Sequence, residues 1–268
     1  VAVMDAINGH ENLDAINGHE NLTEKLNASV FVGGPGINDG NTNGGFDLNM
    51  WATVVATDGI VCVVTKTGDE LNDQWLGSRV ISAQKANTAI AFSLPGLALS
   101  TANLWAPTQP GGSLFGLQFS NPVDTEVAYE GDADDFGTAR TFNEDTTIDK
   151  QGDPMIGHRI GGVNVFGGGL ALYNSSQELI GAIGVSGDSS CADHNIAWRV
   201  RHALELDYVP DGVGSPGDNI IFDLKAGKGS SENFSPSGFG HPVCTGAANI
   251  TINAGMVAEN PISSPISE

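Results

Sequence analysis

Short apolar segments, several with alternating polar positions, predict β-strands along the chain. β-branched and apolar residues fill positions 50–56 and 60–65, and Asp58-Gly59 between them is a strong hairpin signal. Similar segments follow later in the chain at residues 163–166, 170–173 and 179–186. We therefore expect an antiparallel sheet of about five strands.

Two longer segments repeat apolar residues every three to four positions and predict helices. In residues 79–93 the repeat consists of Val80, Ala83, Ala86 and Ile90, and Pro95-Gly96 ends the segment. Residues 191–206 follow the last strand and predict a second helix. A hairpin, a helix, three strands and a helix in this order indicate an α+β fold, an antiparallel sheet flanked by helices with long loop insertions.

The pattern outside these segments divides the chain into three parts. Residues 1–45 predict a surface arm with a Gly/Asn-rich loop, residues 46–245 a single domain with an acidic insertion at 121–156, and residues 246–268 a tail. The arm carries a tandem repeat, because the nine residues 5–13 recur at 14–22. His10, Glu11, His19 and Glu20 of the repeat are a candidate metal site, but a recent duplication is the favoured interpretation.

Charge excludes two classes of partner. The chain has 11 basic and 32 acidic residues and a net charge of −21, which repels nucleic acid and anionic lipid surfaces. Its apolar runs are far shorter than the roughly 20 residues that cross a bilayer. The first residue is Val and no leader-like segment follows, as in a processed mature chain, although a chain trimmed by other means starts in the same way. We expect an extracytoplasmic protein, periplasmic or secreted.

The three cysteines predict one disulfide. Cys62 lies within an apolar strand segment and is expected to be buried. Cys191 and Cys244 are the remaining pair, each beside a turn-rich loop, and a disulfide between them is plausible in an oxidising compartment.

The helix at 191–206 carries the candidate binding residues. Its stripe of Ala192, Ile196, Val200 and Ala203 is expected to face the sheet. His194, Trp198 and Arg201 then face outward, and an outward Trp needs a cover: a planar ligand, the acidic insertion or another subunit. Burial under the insertion or in a subunit interface is the favoured alternative.

Other motifs are weaker. Ser190 and Asp193 have the spacing of a capping box, and the helix start is a candidate anion site, with ordinary capping favoured. His158 and His241 are isolated histidines. Residues 39–44 match half of a calcium-binding loop, but Met50 stands where the bidentate Glu is required, so calcium is not expected. No familiar catalytic motif is present in the sequence.

The segments 78–89, 161–169 and 179–187 resemble the GlcG/HbpS family of haem-binding, or haem-degrading, domains. The resemblance spans roughly residues 50–206, and segments 94–102 and 110–116 resemble the insert of a longer variant named haem-binding protein. It implies an antiparallel sheet flanked by helices, a ring-like homo-oligomer and haem bound near the subunit contacts.

The resemblance leads to a residue-level hypothesis of a non-enzymatic haem or tetrapyrrole binder. We predict His194 as the axial ligand of the iron and His158 as the second choice. Trp198 would form an apolar wall, and Arg201 with Arg159 would bind the propionates. Two alternatives stay open: an enzyme acting on haem or a small metabolite, and a structural protein without a ligand.

Overall fold

The computed structural model describes residues 12–32, 42–139, 152–226, 233–246 and 248–265. Its helices and strands are α1 (Asn12–Val30), β1 (Trp51–Ala56), β2 (Val61–Lys66), α2 (Gly77–Phe92), α3 (Thr125–Ala128), β3 (Gly169–Tyr173), β4 (Leu179–Ser186), α4 (Ser190–Ala203), β5 (Lys225–Ala226), β6 (Asn233–Phe234) and α5 (Ala248–Glu259). Short 3₁₀ helices lie at Leu71–Asp73, Thr101–Leu104, Ala106–Thr108 and Ala133–Asp135.

The central sheet has four antiparallel strands in the order β2-β1-β4-β3, which confirms the predicted α+β class. Gly59 adopts a φ of 81° in the β1–β2 turn, a conformation that favours glycine and that the Asp58-Gly59 signal predicts. β5 and β6 form a separate two-stranded ladder.

The predicted strand at 163–166 is wrong. The side chain of Asn87 donates to the Gly162 carbonyl at 2.7 Å, and the Thr88 hydroxyl accepts from the Asn164 N–H at 2.9 Å. Both side chains belong to α2. This backbone therefore bonds to helix side chains rather than to a neighbouring strand.

Helix α2 covers one face of the sheet through small residues. The predicted stripe is buried, with Ala83 and Ala86 fully inaccessible. A Cβ added at Gly184 of β4 would lie 1.9 Å from the Ser82 carbonyl oxygen, so helix and strand pack closely only because this residue is glycine.

The other face is covered by α4, together with α1 and α5. Leu22 and Leu26 of α1 are fully buried in the same core as Ile196, and Met256 of α5 is 1% exposed. The prediction that residues 1–45 form a surface arm is therefore wrong for α1, and the predicted tail contains a packed helix. The first copy of the repeat lies mostly outside the described residues, as do His10 and Glu11.

The acidic insertion is anchored at its end. Arg79 of α2 donates to both carboxylate oxygens of Asp153, and both side chains are buried. Residues 140–151 of the insertion lie outside the described part of the chain. No helix in the described ranges is long and apolar enough to span a bilayer.

Candidate functional site

A cleft opens where the first turn of α4 meets the segment 241–245. Its volume is about 480 Å³, within the range of small-molecule sites. The lining residues are Phe46, Trp105, Phe166, Ser189, Ser190, His241, Pro242, Val243, Cys244 and Thr245. The cleft therefore combines aromatic rings, hydroxyl groups and one imidazole.

Three aromatic side chains form the apolar walls. Phe46 is 63% exposed and Phe166 is 36% exposed, while Trp105 is half-buried, with its ring centroid 6.3 Å from that of His241. Exposed rings that converge on one cleft offer flat apolar surface to a ligand.

Glycine brings the Phe166 wall close to the helix. A Cβ at Gly167 would lie 2.1 Å from the Ser190 carbonyl oxygen, so only glycine permits this contact with α4. The Thr101 hydroxyl donates to the Phe166 carbonyl at 2.7 Å and fixes the backbone there. Phe166 is thus held at the cleft by the loop backbone.

His241 presents one ring nitrogen as an acceptor. Its Nδ1 lies 2.7 Å from the Pro242 carbonyl, which can only accept, so Nδ1 carries the proton and Nε2 the lone pair. Nε2 faces the Ser190 hydroxyl at 3.3 Å. Burial lowers the pKa of His241 to about 4, so the ring is neutral at pH 7. A neutral imidazole with a free lone pair can ligate a metal or accept a proton.

A disulfide between Cys191 and Cys244 joins α4 to the cleft wall, which confirms the predicted pair. The same wall is also held by backbone bonds. The His241 N–H donates to the Ile221 carbonyl at 2.7 Å, and the Thr245 N–H donates to the Asn249 side chain at 2.9 Å.

The predicted capping box at Ser190 and Asp193 is wrong. Ser189 caps the helix by accepting from the Ala192 N–H at 3.3 Å. Asp193 instead accepts from Lys85 at 2.6 Å and from the Asp188 N–H at 2.9 Å. Burial raises the pKa of Asp193 to about 6 despite the Lys85 ammonium, and burial lowers the pKa of Lys85.

Carboxylates of the chain surround the helix start. Asp188 accepts from the N–H groups of Phe46 at 2.8 Å and of Leu48 at 3.2 Å. With Asp193 on the other side, two carboxylates stand where an anion would bind. This arrangement disfavours the anion site that the sequence suggested.

The expected outward orientation of His194, Trp198 and Arg201 is wrong, because all three are at most 2% exposed. Trp198 donates to the Asn260 carbonyl at 2.8 Å, just beyond α5. Helices α1 and α5 of the same chain cover this face. The predicted stripe fails at its end, where Ala203 is exposed.

His194 and Arg201 have buried partners. Nε2 of His194 accepts from the Ile220 N–H at 3.2 Å, and burial lowers the pKa of His194 to about 4. Arg201 forms a bidentate ion pair with Asp218, with both distances 2.8 Å. Neither side chain lines the cleft. The structure thus places both side chains in the protein core, outside the cleft.

His158 and Arg159 lie at the other end of the sheet. Arg159 pairs with Asp58 in the β1–β2 turn. That turn follows Ala56, which pairs with Gly181, whereas the cleft lies beyond Ser186 at the opposite end of β4. The structure therefore does not bring these two residues together with the α4 residues.

Sequence reasoning missed the cleft residues other than those at the start of α4. His241 was recognised only as an isolated histidine, and Phe46, Trp105 and Phe166 were not recognised. One signal was present: the predicted disulfide places His241, three residues before Cys244, beside the first turn of the 191–206 helix.

Comparison with known proteins identifies the family. The model of the family described as haem degrading protein HbpS-like matches residues 44–201, more than half of the chain. The chain belongs to the HbpS-like family. The match ends before residue 241, so the family region contributes Phe46, Trp105, Phe166 and the helix start to the cleft, but not His241.

Two solved structures are similar to this chain. A crystal structure of a PduOC:haem complex has a TM-score of 0.42 and 22% sequence identity, and covers 69% of this chain and 89% of that one. The protein ORFY of Klebsiella pneumoniae, assigned to the family DUF336, has a TM-score of 0.40 and 20% identity, and covers 68% and 87% respectively. No curated protein matches the chain.

Proposed function

We propose that the chain binds haem or a related tetrapyrrole in the cleft, with Nε2 of His241 as the axial ligand of the iron. The observation that carries the proposal is the neutral imidazole fixed by its Nδ1–H bond to the Pro242 carbonyl. A hydrogen bond from the ring nitrogen that does not bind the metal orients metal-ligating histidines and selects their tautomer. Membership of a family named for haem supports the choice of ligand.

The cleft walls suit a large apolar macrocycle. Phe46 and Phe166 leave ring surface exposed, and a planar ligand that stacks there removes apolar area from water. Hydroxyl groups of Ser189 and Ser190 line the same cleft and can donate to carboxylates. The propionates would rely on these groups, since Arg201 is held in its buried ion pair.

His241 is a better candidate than His194, the first choice from the sequence. Both rings are neutral and buried, but only His241 lines the cleft, and Nε2 of His194 already accepts the Ile220 N–H. Ligation through Nε2 of His194 would leave that buried N–H without its acceptor, at about 1–3 kcal/mol. Ligation by His241 displaces only the 3.3 Å contact with Ser190.

The proposed role is binding without turnover. The family description names haem degradation, so the alternative is an enzyme that consumes the bound haem. Adding ascorbate to the haem complex in air distinguishes the two. A binding protein keeps its Soret band after reduction, whereas a degrading enzyme loses the band as the macrocycle opens.

We also propose a homo-oligomer in an oxidising, extracytoplasmic compartment. Phe115 and Phe119 are 59% and 78% exposed, which supports a subunit contact at this segment. The Cys191–Cys244 disulfide supports the compartment. Light scattering coupled to size exclusion measures the oligomer, and a monomeric mass would exclude it.

The central experiment is a haemin titration of the oxidised protein, followed by absorption. We expect one equivalent of haemin to give a shifted Soret band, with at least tenfold weaker binding in His241→Ala. His194→Ala and His158→Ala serve as comparison variants and should keep wild-type affinity, with folding verified by circular dichroism. Absence of a shifted band in the wild type would refute haem binding. Loss of the band in His194→Ala alone would place the site at the residue first chosen from the sequence.

A further inference from the structure

One cluster of metal-ligating side chains occurs among the described residues, beside the cleft. The sulfur atoms of Cys191 and Cys244 and a ring nitrogen of His241 all lie within 4.8 Å of one another. The two sulfurs are joined in the oxidised protein. Reduction would turn this cluster into two thiol ligands and one imidazole.

We propose that the reduced protein binds a zinc-type divalent ion through Cys191, Cys244 and His241, with the fourth coordination position open to the cleft. Two thiolates and one imidazole form an established type of Zn²⁺ set, and three protein ligands leave one position for water or another small ligand. Tetrahedral Zn–S and Zn–N bonds place the ligand atoms about 3.5–3.8 Å apart. The ring nitrogen of His241 already lies within 4.8 Å of both sulfurs, and the two sulfurs move apart to this spacing once their bond is broken.

The surroundings of the three side chains already favour ligation. Cys191 lies in the first turn of α4, and its own N–H donates to the Cys244 sulfur at 3.1 Å. The Pro242 carbonyl holds Nδ1–H of His241 and leaves Nε2 as the ligand atom.

The ligands stay together without the disulfide. The backbone bonds from His241 to Ile221 and from Thr245 to Asn249 hold both ends of the segment 241–245. The Thr245 hydroxyl also donates to the Gly44 carbonyl at 3.1 Å. Reduction therefore frees the sulfurs while their backbone remains attached to the fold.

The chemistry requires a dithiol reductant. Thiolate attack breaks the Cys191–Cys244 bond, the reductant is oxidised to its own disulfide, and two electrons and two protons pass to the cysteines. Binding of the divalent ion then releases one proton from each thiol. The redox state of the pair therefore decides whether the ion binds.

This inference does not depend on the proposed haem site, although both use His241. Haem binding is measured on the oxidised protein and metal binding on the reduced, haem-free protein. Either proposal can therefore fail while the other stands.

The test uses Co²⁺ alone as a spectroscopic probe, followed by Zn²⁺. A Cys62→Ser background removes the third cysteine, which is free and outside the cluster. Protein reduced with dithiothreitol and freed of the reagent without oxygen should bind one equivalent of Co²⁺. The expected spectrum has the visible bands of a tetrahedral ion and a sulfur-to-cobalt charge-transfer band, and Zn²⁺ should abolish both. The oxidised protein should show neither.

Variants and a folding control decide the remaining outcomes. Cys244→Ser and His241→Ala should each weaken Co²⁺ binding at least tenfold, and His158→Ala should leave it unchanged. If reduction unfolds the protein, Zn²⁺ should restore its circular dichroism, as it does when binding and folding are coupled. The proposal is wrong if reduced protein gives no tetrahedral spectrum, if oxidised protein binds equally, or if Zn²⁺ fails to restore an unfolded reduced chain.

Discussion

Acidification should destabilise the protein through His194 and His241. Burial lowers the pKa of each to about 4, whereas the unfolded chain titrates near 6.5. Below pH 6.5 the unfolded chain therefore binds two protons that the folded protein does not bind. The free energy of unfolding falls as the pH falls. The neighbours of His194 do not reverse this direction, because Asp218 raises its pKa and Arg201 lowers it, and burial exceeds both.

The size of the decrease in the free energy of unfolding follows from the width of the pH window. Between pH 6.5 and 5, each histidine removes about 2 kcal/mol of stability, at about 1.36 kcal/mol per pH unit. Asp193 acts in the opposite direction, because its folded pKa of about 6 lies above its ordinary value of 3.8. Below pH 6 the folded protein binds a proton at Asp193 before the unfolded chain does, which raises the free energy of unfolding by about 1.4 kcal/mol by pH 5. The net loss from the three groups is about 2.5 kcal/mol.

Urea unfolding followed by circular dichroism at pH 7, 6.5, 6, 5.5 and 5 measures this loss. His194→Gln and His241→Gln should each lose about 2 kcal/mol less than the wild type over the same window, since glutamine does not titrate. His158→Gln, at a partly exposed position, is the matched control and should keep the wild-type slope. Equal slopes in all four proteins would refute the assignment of acid sensitivity to the two buried rings.

Two further substitutions test the packing. Gly184→Ala should destabilise by about 1–3 kcal/mol, because its Cβ would overlap a carbonyl of α2, whereas Gly96→Ala meets no atom within 4 Å and should not. Thermal melts compare the two, and an unchanged Gly184→Ala melt would contradict the close packing. Leu26→Ala should lower the free energy of unfolding by about 2–5 kcal/mol if α1 belongs to the core. A decrease in the free energy of unfolding below about 0.5 kcal/mol, measured in urea, would show instead that this segment is a surface arm.

Local patterns were sufficient to predict most of the sheet and two of the helices. The hairpin around Asp58-Gly59, the strand at 179–186 and the small-residue stripe of α2 each depend on neighbouring residues, so a single sequence reveals them. The segment 163–166 has strand composition, but its backbone bonds to Asn87 and Thr88 of a distant helix. No local pattern contains that pairing.

Only part of the candidate site could be predicted, because the rest depends on contacts between distant segments. The prediction that Trp198 faces outward assumed that a helix packed on a sheet has one solvent-exposed face. In the structure α1 and α5 bury that face. These two helices come from opposite ends of the chain. Leu22, Leu26 and Val30 recur every fourth residue of α1 and are buried, but such a stripe does not indicate on which surface the helix docks. The polar residues of α4 are accordingly satisfied inside the protein, as Arg201 is by Asp218.

The Cys191–Cys244 disulfide is the long-range contact that the sequence predicted, and it also constrains where His241 lies. Once Cys244 is joined to Cys191, His241 must lie near the first turn of α4, whatever the rest of the fold. That turn contributes the hydroxyl of Ser190, and the same constraint defines the cleft and the three-ligand cluster. A disulfide predicted from sequence thus adds His241 to the histidines that can serve a site at this helix start, beside His194 within the helix.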